Sequence, residues 1–450
     1  MLLTRRQLIA LSAAAPVLAQ RKSAPPPNIV LIVARDLGAW MLGCYGNKEI
    51  RTPNIDFLAR TGTRFLNHSV CAPAASAGFA TLLTGRAPRQ HGIAGNLGEG
   101  GQKEIPAQFA NEVTISGALS ARGYNCGLVG VWGLGDDRAP GHSFKFWHTM
   151  TGGGYNDPSI SRNGDITTER GYAPELFTRA AVDFIGRQKE GQPFFLLVSH
   201  LNARPPYDGH PQKYYDMYAS TTFNTSGWEP AAANASGGRE YLRDIIGNLR
   251  RAAAGVAALD DQIPPLLEAL DKAKLRDNTL IVFTSTNGVL LGRHGLWGDG
   301  TASFPDNMYE EVMVAPLIWN WFGKVPPEAE RPELVSAYDL LPSLCEAAGA
   351  PAPSGRNLCG ASYMQLAANR PLPRGGEWRN RAFGQIGDAE MARDGRYKLV
   401  LRRGGQGPNE LFDLRADPSE RTNQYDNPEY VSVKDRLTAE LAAWRNQHGK

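Results

Sequence analysis

The side chains with most capacity for chemistry in this 450-residue chain fall in a few short stretches. "CAPAASAGFATLLTGRAPRQHG", Cys71 to Gly92, holds Cys71 and Ser76, with Ser69 just upstream. Thiols and hydroxyls become nucleophiles only when a base or a lowered pKa activates them. The second half of the stretch reads as the first turns of a catalytic helix, yet Ala75 stands where the reactive group would be. Asp36 in "ARDLG" and Asn287 in "TSTNG" offer hard oxygen donors of the kind a divalent cation takes. His200 and Arg204 follow the apolar run "PFFLLVSH", at the carboxyl end of a strand, where α/β sheets bind ligands. His294 in "GRHG" adds one more ring.

Positioning these groups requires strands buried on both faces. "NIVLIVA" (Asn28 to Ala34), "NCGLVGVW", "PFFLLVSH", "TLIVFTST" and "APLIWNWF" (Ala315 to Phe322) are continuous apolar runs of strand length. Between them lie helical patterns: "TPNIDFLARTG", "TISGALSARG" and "RRAAAGVAALDDQIPPLLEALDKAK". The alternation predicts an α/β fold, a large and mostly parallel sheet between helical layers, over residues 26–350. Near "SAYDLLPSLCEAAGAPAPSG" a helix ends at Gly349 and runs into Pro, Ala and Gly, which marks a domain boundary. Beyond it, "MARDGRYKLVLRRG" carries an Asp-Gly hairpin turn, and "EYVSVKDRLTAELAAWRNQ" reads as an amphipathic helix. Residues 360–450 are therefore predicted to be a small α+β domain with antiparallel strands and a terminal helix.

The hydrophobic fraction of 42% and charged fraction of 21% are those of a globular protein. A formal net charge of +3, with no basic block along any predicted helix, argues against a nucleic-acid partner. In "TRRQLIALSAAAPVLAQ", Arg5 and Arg6 precede an Ala-rich run ending near Ala19, so residues 1–20 read as an export signal that resembles the twin-arginine type, with an ordinary secretory signal or an uncleaved anchor as the alternatives. The run is too short and too weakly apolar for a stable transmembrane helix, and the mature chain is expected outside the cytoplasm, in the periplasm or beyond. The five cysteines, Cys44, Cys71, Cys126, Cys345 and Cys359, show no CxxC pair, and their odd number leaves one thiol free. Cys345 and Cys359 are near enough in sequence to form a disulfide if geometry allows.

The opening "PNIVLIVARDLGAWMLGCYGNKEIRTPNIDFLARTGTRFLNHSV", the segments "LLTGR" and "SAYDLLPSLCEAAG", and the closing "DGRYKLVLR" with "NELFDLRADPSE" resemble the formylglycine sulfatases of the alkaline-phosphatase-like superfamily, over nearly the whole chain. The resemblance implies a sulfuric ester hydrolase in which a cysteine, oxidised to formylglycine within Cys-x-Pro-Ser-Arg, attacks sulfur. Calcium and cationic side chains hold the sulfate. In a gapless register this chain departs from that pattern: Ala75 takes the cysteine's place, Ala77 the proline's, Gly78 the serine's and Phe79 the arginine's. A methyl group cannot supply the nucleophile.

The calcium aspartates correspond to Arg35 and Asp36, and the second Asp-Asn pair to Thr286 and Asn287. The Lys-Trp-His motif becomes Val131, Trp132 and Gly133; a lysine becomes Asp299; a histidine becomes Arg204. No cofactor is expected: calcium is the family's cofactor, and two of its three carboxylates are gone, with Asp36 and Asn287 as the residual donors. Arg35 is expected either to fill the former calcium cavity or to turn to solvent. Cys71, four residues early, is the rescue candidate for a nucleophile, and the alternative is a small buried hydrophobe.

The sequence thus predicts an exported pseudosulfatase whose former active-site cleft binds a ligand, such as a glycan, or docks a protein partner. Phe79, Val131 and Gly133 predict a cleft that is less cationic and more apolar than in its relatives. The competing expectation is an active sulfate or phosphate ester hydrolase using Cys71, Ser69 or Ser76.

Overall fold

The computed structural model describes residues 25–97 and 104–449; the export segment expected over residues 1–20 lies outside them. In chain order the large sheet contains β1 (Asn28–Ala34), β2 (Thr63–Ser69), β3 (Asn125–Gly130), β4 (Phe146–Gly152), β5 (Ser159–Arg162), β6 (Asp165–Thr168), β7 (Phe194–Ser199), β8 (Thr279–Ser285), β9 (Leu317–Asn320) and β10 (Ala329–Ser336). Across the sheet they run β10-β2-β9-β8-β1-β7-β3-β4-β5-β6. The centre is parallel: β1 pairs with β7 and β8, and β3 with β7 and β4.

The apolar runs form these strands because helices cover both faces. Leu31, Val33, Phe195, Leu197 and Val282 enter one buried cluster, whereas Val30, Ile32, Leu196, Val198 and Phe283 enter the other. That alternation is the two-residue period of a strand packed on both sides.

Two elements differ from expectation. Within Ala315–Phe322 only β9 is strand, and it is antiparallel to both β2 and β8. The chain leaves the carboxyl end of β8 and returns without a long crossover helix, so β9 must run the other way. The long Ala-rich helical pattern splits into Ile245–Asp260 and Ile263–Lys272. Pro264 and Pro265 lack backbone N–H groups, so they fit the first turn of a new helix and cannot continue the old one.

The C-terminal unit is an antiparallel sheet of β11 (Ala382–Ile386), β12 (Ala389–Arg393), β13 (Tyr397–Arg402) and β14 (Glu410–Asp413). β12 and β13 meet across the Asp394-Gly395 turn, with Arg393 opposite Lys398. Helix Val431–His448 packs on this sheet through Leu437 and Leu441. The segment before the sheet packs back on the large domain, where Tyr363, Leu366 and Ala367 join its core. Lys398, wholly buried, donates to the Met308 carbonyl at 2.7 Å and pairs with Glu310 at 3.1 Å and with Glu420. A buried cation thus ties the small sheet to the loop leading away from the cleft.

Candidate functional site

Several chain segments converge at the carboxyl ends of β1 and β8. The helix Ala75–Thr84 begins there, after an extended Ala74, so Ala75 is its first residue. This helix comes very close to the end of β8: a Cβ on Gly78 would stand 2.2 Å from the Thr286 carbonyl oxygen. Only glycine permits that approach.

A cleft of about 300 Å³ opens over the helix start and is lined by Asp36, Ala75, Asn96, Arg204, Tyr241 and Asp299, among others. The structure therefore brings together four positions singled out in the sequence: 36, 75, 204 and 299. Asp36 follows β1 in a left-handed conformation, φ +52°, and its Oδ1 accepts from Asn287 Nδ2 at 2.8 Å. Asn287 Oδ1 in turn accepts from Thr286 Oγ1 at 2.7 Å. Asp299 Oδ2 accepts from Asn96 Nδ2 at 2.8 Å, while its Oδ1 accepts from Thr301 N at 2.9 Å and Oγ1 at 2.7 Å. Burial, followed by the nearby Asp36 charge, pushes the Asp299 carboxyl above its ordinary pKa.

Arg35 points inward and is 3% exposed, which removes the solvent-facing reading. Its Nη2 donates to the Trp132 carbonyl at 3.1 Å, and Cζ lies 5.5 Å from the Phe79 ring centre. Gly133, at φ +66°, leaves room for this guanidinium: a Cβ there would sit 2.8 Å from Nη2. Phe79 also packs edge-on against Trp132 at 6.0 Å and is fully buried. Phe79 and Gly133 pack against Arg35, none of Phe79, Val131 and Gly133 lines the cleft, and the lining mixes charged groups such as Asp36, Arg204 and Asp299 with apolar ones such as Ala75, Pro205 and Trp297.

His200 is likewise not in the cleft lining. It is wholly buried, with its ring 6.4 Å from Phe177, and neither ring nitrogen has a hydrogen-bond partner among the described residues. Burial lowers its pKa to about 4, so it is neutral. His294 lies outside the cleft, stacked on Tyr309 at 3.7 Å. Arg421 Nη1 donates to its Nδ1 at 3.0 Å, so the ring proton sits on Nε2, 3.3 Å from Glu311 Oε2.

Cys71 is fully buried, in a cluster with Ala87, Tyr338 and Cys359, and burial raises its thiol pKa well above normal. It is neither in the cleft lining nor activated as a thiolate. Ser76 Oγ accepts from Leu97 N at 3.2 Å, and Ser69 Oγ lies 3.2 Å from the Val70 carbonyl. Cys345 belongs to the large core, apart from the Cys359 cluster, and both are free thiols, so the disulfide considered between them is not formed.

Three site residues carried no signal in the sequence. Asn96 bridges the helix start to Asp299: its Oδ1 faces Ser76 N at 3.4 Å while its amide reaches Asp299. Tyr241 and Trp297 stack at 5.6 Å with 22° between their planes, forming the aromatic side of the cleft. Asn96 and Tyr241 lie in polar loop sequence without a periodic pattern, and only the fold brings them to the strand ends. Among the described residues no group of three or more His, Cys, Asp or Glu is placed to hold a metal ion. No helix among them is long and apolar enough to cross a membrane.

The sulfatase family model matches residues 27–350, and the model described as N-sulphoglucosamine sulphohydrolase, C-terminal, matches residues 304–447. An N-acetylglucosamine-6-O-sulfatase of Bacteroides thetaiotaomicron is 25% identical, over 98% of this chain and 90% of its own length. Human arylsulfatase A is 30% identical, over 74% of this chain and 66% of its own. A solved structure in complex with its substrate D-glucosamine-2-N,6-O-disulfate superposes with a TM-score of 0.80 at 23% identity, covering 94% of this chain and 98% of that one. The ordered frame motifs, the sheet and these matches coincide over the same residues: the chain belongs to the sulfatase family.

Proposed function

We propose that this protein is an exported sulfatase-fold glycan-binding protein that does not hydrolyse sulfate esters by the formylglycine route. The observation that carries the reading is Ala75, an inert methyl at the first residue of the helix under the cleft, while the nearby thiol, Cys71, is buried elsewhere. A hydrated aldehyde needs a cysteine at the cleft to start from, and a buried high-pKa thiol supplies none.

The donor set does not fit calcium. Six to eight oxygen ligands, several of them charged, make a calcium shell. Here a guanidinium stands at position 35, and the Asn287 amide already bonds Asp36. We therefore derive no step through a metal. A glycan ligand is supported by the stacked Tyr241–Trp297 pair beside convergent carboxylate, amide and hydroxyl groups. Similarity to a relative named for N-acetylglucosamine points the same way. Export is supported by the Arg5-Arg6 segment.

The test is hydrolysis of an aryl sulfate and of glucosamine 6-sulfate, with and without calcium, by protein co-produced with a formylglycine-generating enzyme, together with mass analysis of peptide Phe65 to Arg86. No turnover and an unmodified Cys71 are expected. Calcium-dependent turnover abolished by Cys71→Ser would overturn the proposal and establish the active hydrolase for which the relatives are named.

A further inference from the structure

Resting on the reading of the cleft as a glycan site, we propose that its ligand is a cationic glycan, an oligosaccharide of unsubstituted amino sugars whose ammonium group sits between Asp36 and Asp299. The two carboxylates come from unrelated elements, the end of β1 and the loop after Trp297, and reach the same cleft. Both are nine-tenths buried, at 9% and 8% exposure. Every donor to them named above is neutral: the Asn287 amide to Asp36, and the Asn96 amide with Thr301 N–H and O–H to Asp299. Among the described residues neither forms an ion pair.

Two like charges facing one cavity with only neutral donors destabilise each other and lose hydration. A ligand cation relieves both terms at once. Among the described residues the other charged groups on the wall are Glu240 and Arg204, so three of those four groups are carboxylates. A sulfated or carboxylated sugar would meet this wall with repulsion. An ammonium has three donors and needs a few acceptors, which two carboxylates supply without a metal-like shell. Tyr241 offers the face against which a sugar ring stacks, and Thr301 and Asn96 stand beside it for ring hydroxyls.

Titration calorimetry at pH 6 with three probes decides the matter: the glucosamine trimer, the N-acetylglucosamine trimer and glucosamine 6-sulfate. The glucosamine trimer is expected to bind about tenfold or more tighter than its N-acetylated counterpart, the difference a charge-assisted hydrogen bond makes. Asp299→Asn should erase most of that preference. Asp36→Asn is the second variant, and each is checked for folding by thermal melting. Equal or tighter binding of the N-acetylated trimer, or of the 6-sulfate, would overturn the ammonium assignment and leave the glycan reading standing. Binding of none of the three would sink both.

Discussion

The Arg35 guanidinium lies 2.8 Å from the point where a Cβ on Gly133 would stand, and 5.5 Å from the centre of the Phe79 ring. The residues at positions 35, 79 and 133 therefore occupy one volume and fit each other. Here the large charged side chain, the aromatic ring and the missing side chain are complementary.

Gly133→Ala should destabilise the protein by about 2 kcal/mol or more, because it combines a left-handed backbone with a methyl driven into Arg35. Arg35→Ala removes the obstacle, so the double variant should lose less than the sum of the two, with a coupling of about 1 kcal/mol. Urea denaturation of the four proteins measures this.

Phe79→Arg would set a second guanidinium against Arg35 in a buried layer. A loss of about 3 kcal/mol is expected. Adding Arg35→Asp converts the repulsion to attraction and should recover most of it, which thermal unfolding of the single and double variants would read.

Glu311 governs the acid limb of stability. Its folded pKa falls from 4.5 to about 2 despite burial, because His294 and Arg293 bond and face its carboxylate. The depressed value means a contribution fully present above about pH 4.5 that is lost as pH falls towards 2. Glu311→Gln should flatten the unfolding free energy across that window, by on the order of 3 kcal/mol.

Lys398→Met leaves Glu420, wholly buried, facing Glu310 without its cation. A cost of about 3 to 5 kcal/mol is expected. Lys398→Met combined with Glu420→Gln should regain a good part of it in equilibrium denaturation, since the orphaned charge is then gone.

The central strands were legible because burial on both faces demands unbroken apolar runs, as in "NIVLIVA" and "TLIVFTST". β6 shows the opposite case: all four of its residues are exposed, so nothing in their hydropathy marks a strand. At the site, Asp36, Ala75, Arg204 and Asp299 could be placed from motif register, because each follows a framed segment. Asn96 and Tyr241 could not, since their roles depend on which loops the fold sets side by side. The contact between Arg35 and Phe79 escapes the sequence for a related reason. Sequence names Phe79 without showing that Arg35 covers it.

The buried Lys398 holds the Met308 carbonyl, and the neighbouring Asn307 amide donates to the Gly300 carbonyl at 3.1 Å and lies 3.4 Å from that of Asp299. The wall bearing Asp299 is thus propped from behind by a strand of the other unit. For protein engineering, this makes the C-terminal hairpin a remote handle on the position of the wall that carries Asp299.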